Sequence, residues 1–249
     1  MVSTLTPPEQ AGLFLDFDGT LAPIVADPAL ARAVMGVDEA LDKLCTVFGR
    51  VALVSGRPVS FLAEQVPPAV DLVGLYGAER RISGEFSEDP RLSPWRSVVA
   101  DVAKAACSDG PQAMRVEDKG LSITLHYREA PELADEVHRW AEAAAADSGL
   151  HRQSARMSEE LHPPVAVNKG TVVEELARDL SAVVYCGDDA GDLPAFEALD
   201  SLAAEGKATL KVVAEGAETP PAVRNAADYL AAGPRAVAEA VIELAARLT

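Results

Sequence analysis

An apolar run that ends in two aspartates and a glycine, Leu13-Phe14-Leu15-Asp16-Phe17-Asp18-Gly19-Thr20-Leu21, constrains this 249-residue chain more than any other stretch. Three consecutive apolar residues predict a strand covered on both faces, because a half-exposed strand would alternate. Period-2 geometry puts Asp16 and Asp18 on the same side where that strand ends, close enough to repel unless a cation lies between them. A hard, oxygen-preferring divalent ion such as magnesium suits that place. Gly19 lets the backbone turn sharply or approach a ligand, and the amides after it are free to meet an anion. Aspartate and glycine also build ordinary turns. The apolar run before the pair and the Gly-Thr after it favour a catalytic pair over a plain turn.

The same punctuation recurs along the chain. Val51-Ala52-Leu53-Val54 is a second apolar strand that runs into Ser55-Gly56-Arg57-Pro58, and Pro58 suits the first turn of a helix over Val59–Val66. Such a strand-to-helix junction offers a hydroxyl, free amides and the positive end of a helix to a phosphate, although Ser55 could equally be a capping serine. Between the first two strands, Leu21–Asp27 reads as a loop and Ala29–Phe48 as a helical region interrupted near Gly36. Leu72–Tyr76 is a third strand. Continuously apolar strands alternating with helices predict an α/β fold, a Rossmann-like core with a parallel sheet.

From about Ile82 the pattern changes. Leu121–Arg128 alternates as an antiparallel strand with one wet face, behind a charged turn at Val116–Gly120. Arg96–Cys107 and Glu132–Ala146 read as helices. Residues 82–164 are therefore expected to form an inserted α+β cap domain of the C2 type, with 1–81 and 165–249 as the core. The core resumes as a helix over Val172–Leu180, a strand over Ala182–Cys186, a helix over Pro194–Leu199, a strand over Leu210–Val213 and a closing helix over Pro234–Leu248.

Two further stretches carry charge where local rules do not ask for it. Lys169, in Asn168-Lys169-Gly170-Thr171, opens a helix at the end of the macrodipole that prefers carboxylates, so it is either a solvated surface lysine or a functional one. Cys186-Gly187-Asp188-Asp189-Ala190-Gly191-Asp192-Leu193-Pro194 packs three carboxylates into five residues after an apolar strand. Asp192 taken alone reads as the N-cap of the helix at Pro194. Asp188, at the strand end, would lie with Asp16 and Asp18 along one edge of the sheet, which a metal makes tolerable.

In this order and strand context, Asp16-x-Asp18, Ser55-Gly56-Arg57, Lys169 and Gly187-Asp188-Asp189 with Asp192 resemble the motif set of the haloacid dehalogenase superfamily. The resemblance narrows to the trehalose-6-phosphate phosphatases. It is carried by Phe14–Ile24, Val54–Arg57, Gly74-Leu75-Tyr76-Gly77-Ala78-Glu79, Val116-Glu117-Asp118-Lys119-Gly120 with His126-Tyr127-Arg128, and Gly187-Asp188-Asp189. It implies that Asp16 attacks phosphorus, that Asp18 protonates the leaving sugar oxygen, and that Ser55, Gly56 and Lys169 hold the phosphoryl oxygens. Magnesium would be bound by the Asp16 carboxylate, the Asp18 carbonyl and Asp188, with Asp192 in support. Glu117, Lys119 and Glu160 in the cap would bind the sugar, and Arg57 would lie near phosphate or sugar. The chain departs from the usual Gly-Asp-Asp-x-Thr-Asp-Glu by Gly191 and Leu193, and has His162 where an arginine usually precedes the motif lysine.

Composition bounds the partners. A formal charge of −17 argues against nucleic acid or an anionic membrane, and requires any phosphate site to be cationic locally. Cys45, Cys107 and Cys186 show no paired spacing and read as reduced, mostly buried thiols. Met1–Gln10 has neither a basic segment nor a signal-length apolar stretch, so a cytoplasmic protein is expected, a monomer acting on a small sugar phosphate. The sequence-level alternatives are the same chemistry on another sugar phosphate, such as a trehalose-like pseudo-disaccharide phosphate, sucrose 6-phosphate or a hexose phosphate, and a binding protein without turnover. Retention of both Asp16 and Asp18 speaks against the last.

Overall fold

The computed structural model describes residues 7–155 and 157–249, so Met1–Thr6 of the amino-terminal reading lie outside the described residues. Two compact units emerge: one from the residues up to Ser87 together with Val167–Thr249, the other Glu88–Ala166.

The first unit contains, in chain order, β1 (Ala11–Leu15), α1 (Val37–Cys45), β2 (Arg50–Val54), α2 (Val59–Ala63), β3 (Asp71–Gly74), β4 (Glu79–Ile82) and β5 (Glu85–Glu88). In the second unit come α3 (Arg96–Asp109), β6 (Arg115–Asp118), β7 (Ile123–His126), α4 (Ala134–Ser148), β8 (His151–Ala155) and β9 (Ser158–His162). The chain returns to the first unit through α5 (Lys169–Leu176), β10 (Ala182–Gly187), α6 (Leu193–Ala204), β11 (Ala208–Ala214), α7 (Pro221–Ala226), β12 (Tyr229–Ala231) and α8 (Gly233–Leu248).

The first unit is an α/β layer structure on one sheet, ordered β12-β11-β10-β1-β2-β3-β4-β5 and parallel from β12 to β3. Alternate residues of each strand feed two separate cores. Phe14, Ala52, Val54, Val73, Val183 and Tyr185 pack with α5 and α6, while Leu13, Leu15, Val51, Leu53 and Leu72 pack with α1 and α8. Burial on both faces is the reason these strands read as unbroken apolar runs. β4 pairs antiparallel with β3, so the hairpin of β4 and β5 extends this sheet where the cap was expected to begin, at residue 82.

The second unit is a four-stranded antiparallel sheet, ordered β6-β7-β9-β8, with α3 and α4 packed on Ile123, Leu125 and Leu161. Val116–Gly120, expected to be a turn, is mostly strand: Arg115–Asp118 pairs with β7, and half-buried Val116 packs against the same core. The hairpin of β8 and β9 was missed because its polar residues, among them Glu159 and Glu160, hide the alternation although both glutamates are buried.

Other expectations shift at their ends. The helical region after Pro28 begins as α-helix only at Val37, since Gly36 adopts φ 88°. The third strand stops at Gly74, because Leu75 and Tyr76 turn into the left-handed region at φ 49° and 57°. Cys107 is exposed on α3 rather than buried, whereas Cys186 is buried and its thiol is pushed up to about 12, by burial first and by Asp192 second. Among the described residues no helix is long and apolar enough to cross a membrane.

Candidate active site

Strand register brings the acidic residues together. Leu15 of β1 pairs with Cys186 of β10, and the Asp16 amide donates to the Cys186 carbonyl at 2.9 Å. Asp16 and Asp188 therefore leave neighbouring strand ends side by side, where open α/β sheets bind ligands. Carboxylate oxygens of Asp16, Asp188 and Asp192 all lie within 4.8 Å of one another, and all three residues are buried. Glycines make the room. A Cβ on Gly19, at φ 81°, would collide with the Asp188 carboxylate, and one on Gly187 would collide with Asp192.

Lys169 completes the cluster. It is the first residue of α5, whose N-terminus is held by a reciprocal cap between Asn168 and Thr171. The cap frees Lys169 to turn inward, where Nζ reaches Asp16 Oδ1 at 2.9 Å and Asp192 Oδ1 at 2.6 Å. Burial alone would push the ammonium down, but Asp16 and Asp192 together hold it well above its ordinary value. This lysine is no solvated surface residue.

Asp192 does stand at the N-cap position of α6, but its side chain makes no cap hydrogen bond there and serves as a hub instead. Its Oδ1 accepts from Lys169 and from the Tyr185 hydroxyl at 2.7 Å, and its Oδ2 from the amides of Asp188 at 2.9 Å and Asp189 at 3.2 Å. Four donors fill both oxygens. The local capping side chain is that of Asp189, which accepts from the Gly191 amide.

Three carboxylates against one ammonium leave a formal charge of −2 in a buried space. Asp16 answers this by rising to about 8, through burial first and the charges of Asp192 and Asp189 after it, with Lys169 opposing. A divalent cation would cancel the excess and draw Asp16 back to its carboxylate form. The donor set fits such an ion, being oxygen-only and acidic, with Asp16, Asp188 and Asp192 each able to offer a carboxylate oxygen.

The second loop sits on β2 and β3. The Ser55 amide donates to the Val73 carbonyl at 2.9 Å, and Ser55 Oγ accepts from the Arg57 amide at 3.3 Å. Arg57 grips Asp18, Nε to Oδ2 at 2.6 Å and Nη2 to Oδ1 at 2.8 Å, with Phe61 beneath the guanidinium at 4.5 Å. The Asp18 side chain thus stands apart from the acidic cluster. Glu79, on β4, accepts from the Val59 amide at 2.9 Å and so fixes the start of α2, which Pro58 leaves without a side-chain cap.

In the cap unit, Glu117, Thr124 and Glu160 are register partners across β6, β7 and β9, which places them on one face. Glu160 accepts from the Ser122 hydroxyl at 2.8 Å and lies 3.4 Å from Lys119 Nζ. Glu117 Oε2 lies 2.8 Å from His126 Nε2. His162 Nδ1 is 3.0 Å from the Pro163 carbonyl, a local contact at the end of β9.

Sequence reasoning missed Tyr185, Asp189, Glu79 and Tyr76. Tyr185 had a readable signal, since a tyrosine in a fully buried strand must find an acceptor for its hydroxyl. Its partner follows seven residues later.

Residues 14–233 match the trehalose-phosphatase family model. The trehalose-phosphate phosphatase of Mycobacterium avium is 32% identical over 199 residues, covering 75% of this chain and 51% of that protein. A probable trehalose-phosphate phosphatase of Sinorhizobium fredii is 31% identical, over 76% of this chain and 74% of its own length. The chain spans about half the length of the mycobacterial relatives it matches. In fold it resembles the C-terminal domain of C. albicans trehalose-6-phosphate phosphatase, with a TM-score of 0.79 at 22% identity over 97% of this chain and 94% of that one. With a trehalose-6-phosphate phosphatase related protein the TM-score is 0.77 at 23% identity, over 95% and 97%. With the family model spanning both catalytic-looking loops and the cap between them, the chain belongs to the trehalose-phosphatase family.

Proposed function

We propose that this chain is a magnesium-dependent phosphatase that hydrolyses trehalose 6-phosphate to trehalose and phosphate. The observation that carries the reading is the buried Asp16–Lys169 pair at 2.9 Å beside Asp188 and Asp192. Its neighbours make Asp16 a positioned nucleophile, and Lys169 a fixed positive charge next to the attacked phosphoryl group.

An Asp16 oxygen attacks phosphorus and the bond from phosphorus to the sugar oxygen breaks. Asp18 gives its proton to that oxygen, and trehalose leaves. Asp18, now a carboxylate, takes a proton from water as the water oxygen attacks the aspartyl-phosphate. This releases inorganic phosphate and restores both aspartates. Ser55, Gly56 and Lys169 hold the phosphoryl oxygens throughout. The Asp16 and Asp188 carboxylates and the Asp18 carbonyl, with Asp192 in support, would hold magnesium, which when bound would supply the charge neutralisation that phosphate monoesters need. The cap, with Glu117, Lys119 and Glu160, recognises the sugar.

A second reading keeps the chemistry and changes the sugar. Gly191 and Leu193 stand where the family usually carries threonine and glutamate, and half-buried Leu193 packs into the core rather than offering a polar group. Phosphate release from trehalose 6-phosphate, sucrose 6-phosphate, glucose 6-phosphate and an aryl phosphate, with and without magnesium, separates the two. Magnesium-dependent preference for trehalose 6-phosphate supports the first reading, and preference for another sugar phosphate supports the second. No release from any of them overturns both.

A further inference from the structure

Tyr76 has no role in the reaction as written, yet its backbone is held in the left-handed region at φ 57°. Leu75 and Tyr76 are consecutive non-glycine residues at positive φ, 49° and 57°, a conformation that costs free energy and persists where surroundings enforce it. Those surroundings are the phosphate loop. The Leu75 amide donates to the Arg57 carbonyl and the Tyr76 amide to the Ser55 carbonyl, each at 3.0 Å. A Cβ on Gly74 would come within 2.6 Å of the Arg57 carbonyl oxygen, so the two chains touch backbone to backbone.

The strain aims the Tyr76 ring. A Cβ on Gly56 would lie 2.8 Å from both Tyr76 Cζ and Oη, and one on Gly191 would lie 3.6 Å from Cε1. The ring therefore lies between two glycines, one from the loop after β2 and one from the loop after β10. Its centroid is 6.0 Å from Lys169 Nζ. That is the outer range at which a ring face attracts an ammonium ion, and the attraction grows where water is excluded.

We propose that Tyr76 is a positioning residue for Lys169. Its ring walls the ammonium from water and presents a π-face, which keeps Nζ between Asp16 and Asp192 while the phosphoryl group binds. A Cβ at Gly191 would reach ordinary van der Waals contact with this ring, at 3.6 Å, so the position borders the ring without crowding it. The inference rests on the proposed phosphatase reading for its kinetic consequence, but the positioning itself is measurable without turnover.

The test compares Tyr76→Phe with Tyr76→Leu in the full chain, with magnesium present. Phe keeps the π-face and Leu keeps most of the volume without it. Calorimetric affinity for inorganic phosphate should fall about tenfold in Leu and stay within about twofold of wild type in Phe, with kcat on the aryl phosphate following the same order. Equal losses in Phe and Leu, or wild-type phosphate affinity in Leu, overturn the proposal. Should Leu not fold, as judged by circular dichroism, Tyr76→Met takes its place with the same expectations. A wild type that binds phosphate but releases none from any ester would sink the phosphatase reading, while the binding series still decides the role of Tyr76.

Discussion

Replacing Asp192 with asparagine tests the hub directly. The carboxylate accepts from Lys169 and Tyr185 on one oxygen and from the amides of Asp188 and Asp189 on the other. Asparagine offers one acceptor oxygen and one NH2. Whichever way it turns, the NH2 faces two donors, so two hydrogen bonds to a charged group are lost in a buried site. At about 1.5–3 kcal/mol each, the loss is about 3–6 kcal/mol. That is a large share of the 5–15 kcal/mol by which folded chains are typically stable (roughly). For a chain of this size each kcal/mol moves Tm by about 2–4 °C, so Asp192→Asn should melt at least about 6 °C below wild type. Tyr185→Phe deletes one of the four donors and keeps the ring against Phe196, so it should lose about half as much. Thermal unfolding followed by circular dichroism, with and without magnesium, reads both variants. The rise in Tm on adding magnesium should also shrink in Asp192→Asn, because the Asp188 backbone loses its anchor. A Tm within about 2 °C of wild type, with the full magnesium effect intact, would refute the hub.

Asp16→Asn should abolish turnover and leave the fold intact, and its pH behaviour gives a second readout. Folded Asp16 titrates at about 8 against an ordinary 3.8, so the folded metal-free chain holds an extra proton between those values. Stability should then fall as pH rises through that window, and both the asparagine variant and added magnesium should flatten the slope. Urea midpoints at pH 5 and pH 8 in chelator that match between wild type and variant would contradict this. For the cap, Glu117→Ala should raise KM for trehalose 6-phosphate about tenfold while leaving the aryl phosphate nearly unchanged, and equal effects would remove Glu117 from sugar recognition. With −17 formal charges facing an anionic substrate, kcat/KM should rise with added salt below 0.1 M, and a fall would show that local cations dominate association.

The core was legible because its signals are local. An unbroken apolar strand followed by a charged turn is visible wherever both sheet faces are covered, as at Leu13–Leu15 and Ala182–Cys186. Lys169 was legible for the opposite reason, since it breaks the helix-end rule in plain view. What stayed hidden depends on neighbours distant in sequence. Glu159 and Glu160 carry no apolar alternation that would announce a strand, yet both are buried, accepting from Ser154 and Ser122 on neighbouring stretches of the cap. Asp192 read as a helix cap because its true partners, Lys169 and Tyr185, are supplied by other elements. Tyr76 owes its place to a backbone conformation that no residue preference announces.

The pairing of Arg57 with Asp18 adds a condition to the proposed reaction. With both oxygens taken by one guanidinium, Asp18 is held as an acceptor. An acid that protonates the leaving sugar oxygen must first carry a proton, and a protonated Asp18 can no longer accept two charged hydrogen bonds. In the proposed reaction a proton on one oxygen would leave the other oxygen free to keep one hydrogen bond from Arg57. The guanidinium lies over Phe61 and two residues from Ser55, so its charge stands on the loop proposed to hold the phosphoryl oxygens. The place near the phosphate that the sequence resemblance implies for Arg57 is therefore compatible with the contact to Asp18 seen in the structure.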